Sequence, residues 1–403
     1  MGLINRLISN KFNPNLAVDL QSKSKSHLDK MQTANIIVAG KTGSGKSTLI
    51  NAIFREKIAQ TGVGKPITQH IQEITKEGLP VVLYDTKGLE LSQRNQKEVL
   101  TTLADLIKVQ AQKGPKAAIN LVYYCINNSM GRIEDFEIEL IQALAKKVPV
   151  ILVLTQTLGQ ERKDFETYLK ELKLPVRAII PVLAKPYLLT GKEYLPSFGL
   201  QALIDMTIEV LPEESQGAFI NAQQVDLDRK VARARRWAKR YITTAFGVGF
   251  IPIPVADSAV LVPMQIGMLA HISSIFGVSL DKSQILSVLA GIGGTGGATL
   301  IGKYLVSSAT KLIPGLGTVT GGLISGATAS SLTVALAYSY IEVLKQVTLA
   351  EKAGRDMPLK EIQRLMNSSL KEQFETLSEV LPEGFKDMNV VDWAQALFNK
   401  KKK

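Results

Sequence analysis

The 403-residue chain has a single cysteine and three histidines. A lone Cys125 cannot close an internal disulfide. It lies inside the apolar run Asn120-Leu-Val-Tyr-Tyr-Cys-Ile126, where a core thiol rather than a catalytic one is expected. The histidines stand at unrelated positions and offer no metal-ligand spacing. Acidic residues are in deficit: 36 Asp and Glu face 48 Lys and Arg, for a formal net charge of +12. Such a balance points to an anionic partner, whether nucleotide, anionic lipid or nucleic acid. The N-terminus lacks the long apolar core and small-residue cleavage site of a secretory signal. Leu3, Ile4, Leu7, Ile8 and Phe12 instead recur at helical spacing, which predicts a mildly amphipathic segment. Gly2 suggests an acylation signal, but Arg6 occupies the position where that signal needs Ser or Thr. Hydrophobic residues make up 45% of the chain, enough for the cores of two or three domains at this length.

The most informative segment is Gly40-Lys41-Thr42-Gly43-Ser44-Gly45-Lys46-Ser47-Thr48. It follows the apolar run Asn35-Ile-Ile-Val-Ala39 and precedes Leu49-Ile-Asn-Ala-Ile-Phe54. The spacing G-x-x-x-x-G-K-S/T between a strand and a helix is that of a phosphate-binding loop. Glycines let successive backbone N–H groups converge on an anion, and the helix N-terminus adds its partial positive charge. In such a loop Lys46 is expected to reach the β- and γ-phosphates, and the Ser47 hydroxyl to ligate Mg2+.

Apolar runs alternate with helical patterns beyond this point. Strands are expected at Ile36–Ala39, Ile71–Thr75, Val81–Tyr84, Leu121–Ile126, Val148–Leu154 and Ala178–Leu183, with helices at Lys97–Lys113, Glu134–Lys147 and Lys163–Leu172. The pattern predicts an α/β P-loop NTPase domain with a mainly parallel sheet and helices on both faces. Its ligand is expected at the carboxyl ends of the strands, where the phosphate loop falls. Expected boundaries are an N-terminal amphipathic and polar segment over 1–33, the α/β domain over 34–212 and a basic helical linker over 213–244. An apolar, Gly/Ala-rich all-α domain over 245–350 and a charged helical segment over 351–403 follow.

Two further motifs belong with the loop. Asp85-Thr-Lys-Gly88 closes the strand Val81–Tyr84, so that Asp85 can hold Mg2+ and the Gly88 N–H can sense a γ-phosphate. Between them runs Thr61-Gly-Val-Gly-Lys-Pro-Ile-Thr68, read as a flexible Gly-containing loop with Thr68 poised to close over Mg2+. Together, Gly40–Ser47 with Thr48-Leu-Ile-Asn51, Pro-Ile-Thr68 and Asp85-Thr-Lys-Gly-Leu89 resemble the Era-like branch of translation-factor-related GTPases. The same style of phosphate loop is shared by dynamins and immunity-related GTPases. The resemblance covers roughly residues 35–210 and implies GTP or GDP with Mg2+ as ligands, with Lys46, Thr68 and Gly88 in catalytic or sensing roles. Leu89 stands where Ras-like enzymes carry a water-orienting Gln, so low intrinsic hydrolysis is implied. The family's base-reading motif N/T-K-x-D falls on Thr155-Gln156-Thr157-Leu158: Thr155 fits, Gln156 replaces the Lys and Leu158 replaces the guanine-reading Asp. Val182-Leu-Ala184-Lys185 resembles the element that flanks the base. GTP remains the expected nucleotide over ATP.

The second half changes character. Arg229, Lys230, Arg233, Arg235, Arg236, Lys239 and Arg240 make a basic helix, and long uncharged stretches follow, among them Leu312–Ile341. Polybasic residues next to apolar segments suit an anionic membrane surface, and Gly317, Gly321 and Gly322 would permit close helix approach. Against a spanning reading stand Phe250-Ile-Pro-Ile-Pro-Val-Ala-Asp257, Gln265, His271 and the Gly-rich 291–297. Asp257 reads as the N-cap of a helix over Ser258–Phe276. Ile-Pro-Val-Ala-Asp257, Pro-Met-Gln265-Ile-Gly-Met268 and Ile-Pro-Gly-Leu-Gly317 resemble a helical domain of uncharacterised function in bacterial GTPase-related proteins, some of them membrane-associated. The expected whole is a cytoplasmic, slow GTPase switch coupled to an apolar helical domain that is peripheral to or inserted in the inner face of a membrane, or else fully soluble, with nucleotide-dependent self-association. The alternatives are a ribosome- or RNA-associated assembly GTPase, and a nucleotide-binding scaffold with negligible turnover. Trp237 and Tyr241 are the only aromatics in the basic helix, which argues against nucleic acid.

Overall fold

The computed structural model describes residues 22–24, 26–54, 63–66, 71–76, 79–86, 96–158, 161–189, 193–246, 253–254, 258–277, 323–324 and 326–380. The chain divides into two compact units, residues 28–227 and residues 1–27 with 228–403. Among the expectations above, the N-terminal amphipathic segment, Asp257, the Gly-rich 291–297 and Gly317, Gly321 and Gly322 lie outside the described residues.

The first unit is a seven-stranded sheet in the order β2-β3-β4-β1-β5-β6-β7. Its strands are β1 (Ala34–Ala39), β2 (Val63–Pro66), β3 (Ile71–Thr75), β4 (Val81–Thr86), β5 (Leu121–Asn127), β6 (Val150–Thr155) and β7 (Ala178–Pro181). β1 pairs in parallel with β4 and β5, β5 with β6, and β6 with β7, while β2 and β3 join antiparallel. This is the mainly parallel α/β arrangement expected. Strands buried on both faces read as continuous apolar runs, as β1, β5 and β6 do.

Alternation along each strand assigns the cores. Ile36, Val38, Leu121, Tyr123, Cys125, Ile151 and Val153 line one face. They pack with α1 (Lys46–Ile53), α5 (Leu200–Val210) and α6 (Glu213–Ala222) through Leu49, Ile53, Leu203, Ile204 and Phe219. Ile37, Val122, Tyr124, Ile126, Val150, Leu152 and Leu154 line the other. They meet α2 (Gln96–Gln112), α3 (Asp135–Ala145) and α4 (Glu161–Glu171) through Leu103, Leu140, Ile141, Phe165 and Leu169. Each such side chain contributes about 1.5–3 kcal/mol of burial free energy. Cys125 is fully buried, and desolvation pushes its thiol up to about 12, so it is the core residue its surroundings predicted.

One reading needs correction. The stretch from Thr61 to Thr68 was expected as a flexible loop, yet Val63–Pro66 forms β2 and pairs antiparallel with β3. Gly64 and Pro66 argue locally against a strand. They are tolerated because β2 is the edge of the sheet, where an unpaired N–H is not missed.

Polar contacts pin the two elements that flank the loop at their ends remote from it. At the base of β1, Asn35 N–H donates to Asn120 Oδ1 at 2.8 Å, and its side-chain amide donates to the Lys116 and Ala118 carbonyls at 2.8 and 3.0 Å. At the far end of α1 the Gln224 amide donates to the Asn51 and Phe54 carbonyls at 3.2 and 3.0 Å, satisfying groups that a helix end leaves open.

The second unit is helical: α7 (Leu227–Phe246), α8 (Ser258–Phe276), α9 (Gly326–Lys352) and α10 (Leu359–Val380), with a small strand pair β10 (Ile253–Pro254) and β11 (Leu323–Ile324). Two further strands of the first unit, β8 (Tyr187–Leu188) and β9 (Tyr194–Leu195), make a separate hairpin. The polar residues of α8 are used between helices. Gln265 donates to Thr333 Oγ1 on α9 at 3.1 Å, and Ser273 meets Tyr340 at 2.7 Å. The His271 ring lies tilted against Trp237 of α7 with centroids 4.1 Å apart, and burial, with His27 and Arg233 nearby, lowers its pKa to about 3. Lys230, 2% exposed, donates to the Phe276 carbonyl at the end of α8. Among the described residues no helix is long and apolar enough to cross a membrane.

A buried pair in the first unit gives a stability prediction. The Thr207 hydroxyl spends its proton on the Leu203 carbonyl at 2.6 Å, so Tyr123 OH donates to Thr207 at 2.7 Å. Tyr123→Phe should cost about 1 kcal/mol, and Thr207→Val about 2 kcal/mol because it strands a buried phenol. Denaturant unfolding should rank the two in that order.

Candidate nucleotide-binding site

The loop from Gly40 to Gly45 leaves β1 at its carboxyl end and enters α1, as the sequence predicted. Its path depends on backbone that only glycine adopts without strain: φ is +139° at Gly40, +78° at Gly43 and +79° at Gly45. A Cβ at Gly40 would lie 2.3 Å from the Cys125 carbonyl oxygen, and one at Gly45 would lie 3.1 Å from Thr155 Oγ1. The loop backbone therefore rests directly on β5 and on the end of β6.

Thr155 holds it there. Its hydroxyl donates to the Ser44 carbonyl at 2.6 Å, with the Ile126 carbonyl at 3.2 Å. Gln156, at a left-handed φ of 51°, directs its amide to the Gly43 carbonyl at 3.3 Å. Thr157 turns inward, donating through its hydroxyl to the Leu154 carbonyl at 2.7 Å. Its N–H reaches the Val182 carbonyl at 3.4 Å, which brings the 155–157 turn next to the segment leading to Ala184 and the exposed Lys185. Ser129 in the turn after β5 donates to the Gln156 carbonyl at 3.0 Å.

Lys46 is 8% exposed, with its ammonium on the Gly40 and Lys41 carbonyls at 2.7 and 2.9 Å. Burial lowers its pKa, and the charge of Asp85 acts against that shift. Asp85 stands opposite Val38 in the β1–β4 register, one strand from the loop. Ser47 is exposed at the start of α1, Thr48 is half-buried beside it, and Thr42 and Gly43 face solvent. The structure thus brings together residues 40–48, Asp85, Thr155–Thr157 and the approach to Ala184 and Lys185. Thr68 and Gly88 lie outside the described residues.

The geometry fits a phosphate group. The start of α1 leaves N–H groups open, Gly40 and Gly45 carry no side chain, and the buried Ser44 hydroxyl has no hydrogen-bond partner among the described residues. The donors beside it are the Ser47 hydroxyl and Asp85 carboxylate, hard oxygen ligands suited to Mg2+. Among the described residues no cluster of His, Cys, Asp and Glu could hold a metal by itself, so an ion here would need phosphate oxygens as well.

Sequence reasoning missed one part of the site. Lys41 pairs with Glu134 Oε1 at 2.6 Å and Glu137 Oε2 at 2.9 Å at the start of α3. Glu134 and Glu137 form a capping box there, a spacing visible in the sequence, but nothing local ties it to the loop.

Residues 35–156 match the family model described as 50S ribosome-binding GTPase, and residues 215–371 match a domain of unknown function (DUF697). The tRNA modification GTPase MnmE of Treponema denticola is 27% identical over 193 residues, 46% of this chain and 36% of that protein. Magnetosome membrane protein 22 of Magnetospirillum gryphiswaldense is 29% identical over 113 residues, 27% of this chain and 56% of that protein. The chain thus spans less than two thirds of these curated relatives. Among solved structures, Toc33 from Arabidopsis thaliana in complex with Mg2+ and GMPPNP is similar over 49% of this chain and 93% of that one, at 15% identity and a TM-score of 0.30. The chain carries a P-loop GTPase domain, the class that takes GTP or GDP with Mg2+.

The glycines provide a direct check. Gly43 has nothing within 4 Å of an added Cβ, whereas Gly40 meets backbone. Gly43→Ala should cost about 1–2 kcal/mol from φ alone. Gly40→Ala should cost about 3 kcal/mol or more, since strain and overpacking add. Chemical unfolding without nucleotide measures both.

Proposed function

We propose that the chain is a GTP-dependent switch with slow hydrolysis whose helical unit engages an anionic membrane surface. The observation that carries the nucleotide half is the loop itself: glycine backbone seated on β5, anchored by Thr155, with a buried Lys46 aimed into it. In this reading Lys46 exchanges the Gly40 and Lys41 carbonyls for the β- and γ-phosphates. Ser47, Asp85 and Thr68 are the residues that would hold Mg2+, which neutralises phosphate charge when bound. Thr68 and Gly88 sense the γ-phosphate, and Thr155–Thr157 with Ala184 and Lys185 flank the base. Leu89 carries no amide that could orient an attacking water, so turnover is slow without a partner or a second copy. The style of these motifs supports the Era-like, dynamin-related assignment within the GTPases.

The membrane half rests on α7. Val231, Ala234, Ala238 and Ile242 are buried on one side, and Arg235, Arg236, Lys239 and Arg240 are exposed on the other. A helix presenting such a face is drawn to anionic headgroups by about 1 kcal/mol per basic residue near the surface. Similarity to a magnetosome membrane protein supports the same direction. The attachment envisaged is peripheral, at the inner face of a membrane.

A ribosomal or RNA partner is the second reading, supported by the description of the matched family model and by the MnmE similarity. The aromatics of the basic helix weigh against it. Trp237 lies tilted against His271 at 4.1 Å and Tyr241 meets the same ring edge-on at 6.0 Å, so both rings are engaged with His271.

Flotation of the full chain with anionic and neutral liposomes, in GTP analogue and in GDP, tests the switch. Binding to anionic vesicles that changes with nucleotide is expected. Equal behaviour in both states, or co-sedimentation with ribosomal subunits instead, would overturn it. Lys46→Ala should abolish nucleotide binding and phosphate release. GTP should outcompete ATP by about tenfold, the preference implied by the resemblance of Gly40–Ser47, Thr68 and Asp85–Gly88 to the motifs of GTPases. A competition titration with equal affinities would reject guanine selectivity.

A further inference from the structure

The phosphate loop contains a second lysine, and its ammonium is turned away from the loop. Lys41 Nζ lies between Glu134 and Glu137 of the α3 N-terminus, 2.6 and 2.9 Å from their oxygens. The two contacts are unequal. The Glu134 side chain is 45% exposed, and an ion pair in that setting contributes little. Glu137 is 3% exposed at its side chain, and a buried carboxylate is costly unless a cation meets it.

The other donors to Glu137 are neutral. Tyr124 OH donates to Oε1 at 3.3 Å, and the Glu134 N–H donates to Oε2 at 3.1 Å. Among the described residues Lys41 is the cation paired with it. Burial works against the charged form of Lys41, but its bonds to Glu134 and Glu137 prevail, and its pKa is raised. A buried negative charge therefore sits one ion pair from a backbone that must gather anionic oxygens.

We propose that Lys41 is a positioning residue that neutralises Glu137 and so keeps the loop's field attractive to phosphate. This inference rests on the nucleotide-binding reading above and alters the role expected for Lys41. Its ammonium acts on Glu137, while only its backbone faces the phosphates. Removing the lysine exposes the loop to an uncompensated carboxylate; removing both charges does not.

Binding of a fluorescent GDP to the full chain with Mg2+ separates the possibilities, using Lys41→Met, Glu137→Gln and the double variant. Lys41→Met should weaken binding about tenfold or more, as a like charge at this range opposes the phosphates. The double variant should return to within about threefold of the wild type, and Glu137→Gln should bind no more weakly than the wild type. A double variant as weak as Lys41→Met would show direct contact of the ammonium with nucleotide and overturn the inference. So would a Lys41→Met chain that binds like the wild type. Should Lys41→Met fail to fold, the double variant and Glu137→Gln differ only by the ammonium: equal affinity supports neutralisation, and a tenfold gap overturns it. A wild-type chain that binds no guanine nucleotide overturns the parent reading and this inference together, a result distinct from the others.

Discussion

The candidate site depends on the close approach of the Gly40 backbone to the Cys125 carbonyl, where an added methyl would stand 2.3 Å from the oxygen. Because the loop can lie flat on β5, Thr155 at the end of β6 can reach the Ser44 carbonyl, and Lys46 can fold back under Gly40 and Lys41. Moving the loop outward would break each of these bonds, and α1 would lose the N-terminal geometry that leaves its N–H groups open. The two helix-covered cores hold β1, β5 and β6 in parallel register beneath it, so packing energy spread over the sheet is spent on placing a short piece of backbone.

Electrostatics around that backbone are arranged in two tiers. Lys46 is buried, has its pKa lowered by desolvation and is held by neutral carbonyls that a phosphate can replace. Lys41 is held by carboxylates and has its pKa raised, so it is committed to the protein. Identical residue types five positions apart in one loop therefore have different chemistry, decided by what each side chain meets.

The helical unit uses polar groups in another way. Gln265, Ser273 and His271 interrupt the apolar character of α8, and each is consumed by a neighbouring helix or ring. Lys230 turns inward from the basic helix to close the end of α8, while Arg235, Arg236, Lys239 and Arg240 stay at the surface. The charge run thus splits between a structural contact and an exposed face, which total charge alone does not reveal.

What the sequence determined is the chemistry written in consecutive residues. A strand, a glycine loop and a helix in direct succession specify a phosphate cradle, because neighbouring backbone groups supply most of its contacts. The continuous apolar runs of β1, β5 and β6 announced buried strands, and the run around Cys125 announced a core thiol. Tertiary structure alone decided the rest. β2 forms despite Gly64 and Pro66 because the sheet edge forgives a missing donor, a fact no local propensity contains. Gln156 finds Gly43, Gln224 closes α1 and Glu137 finds Lys41 because the fold brings together side chains remote in the chain. Pairing of that kind depends on distance in space, and residue spacing along the chain does not encode it.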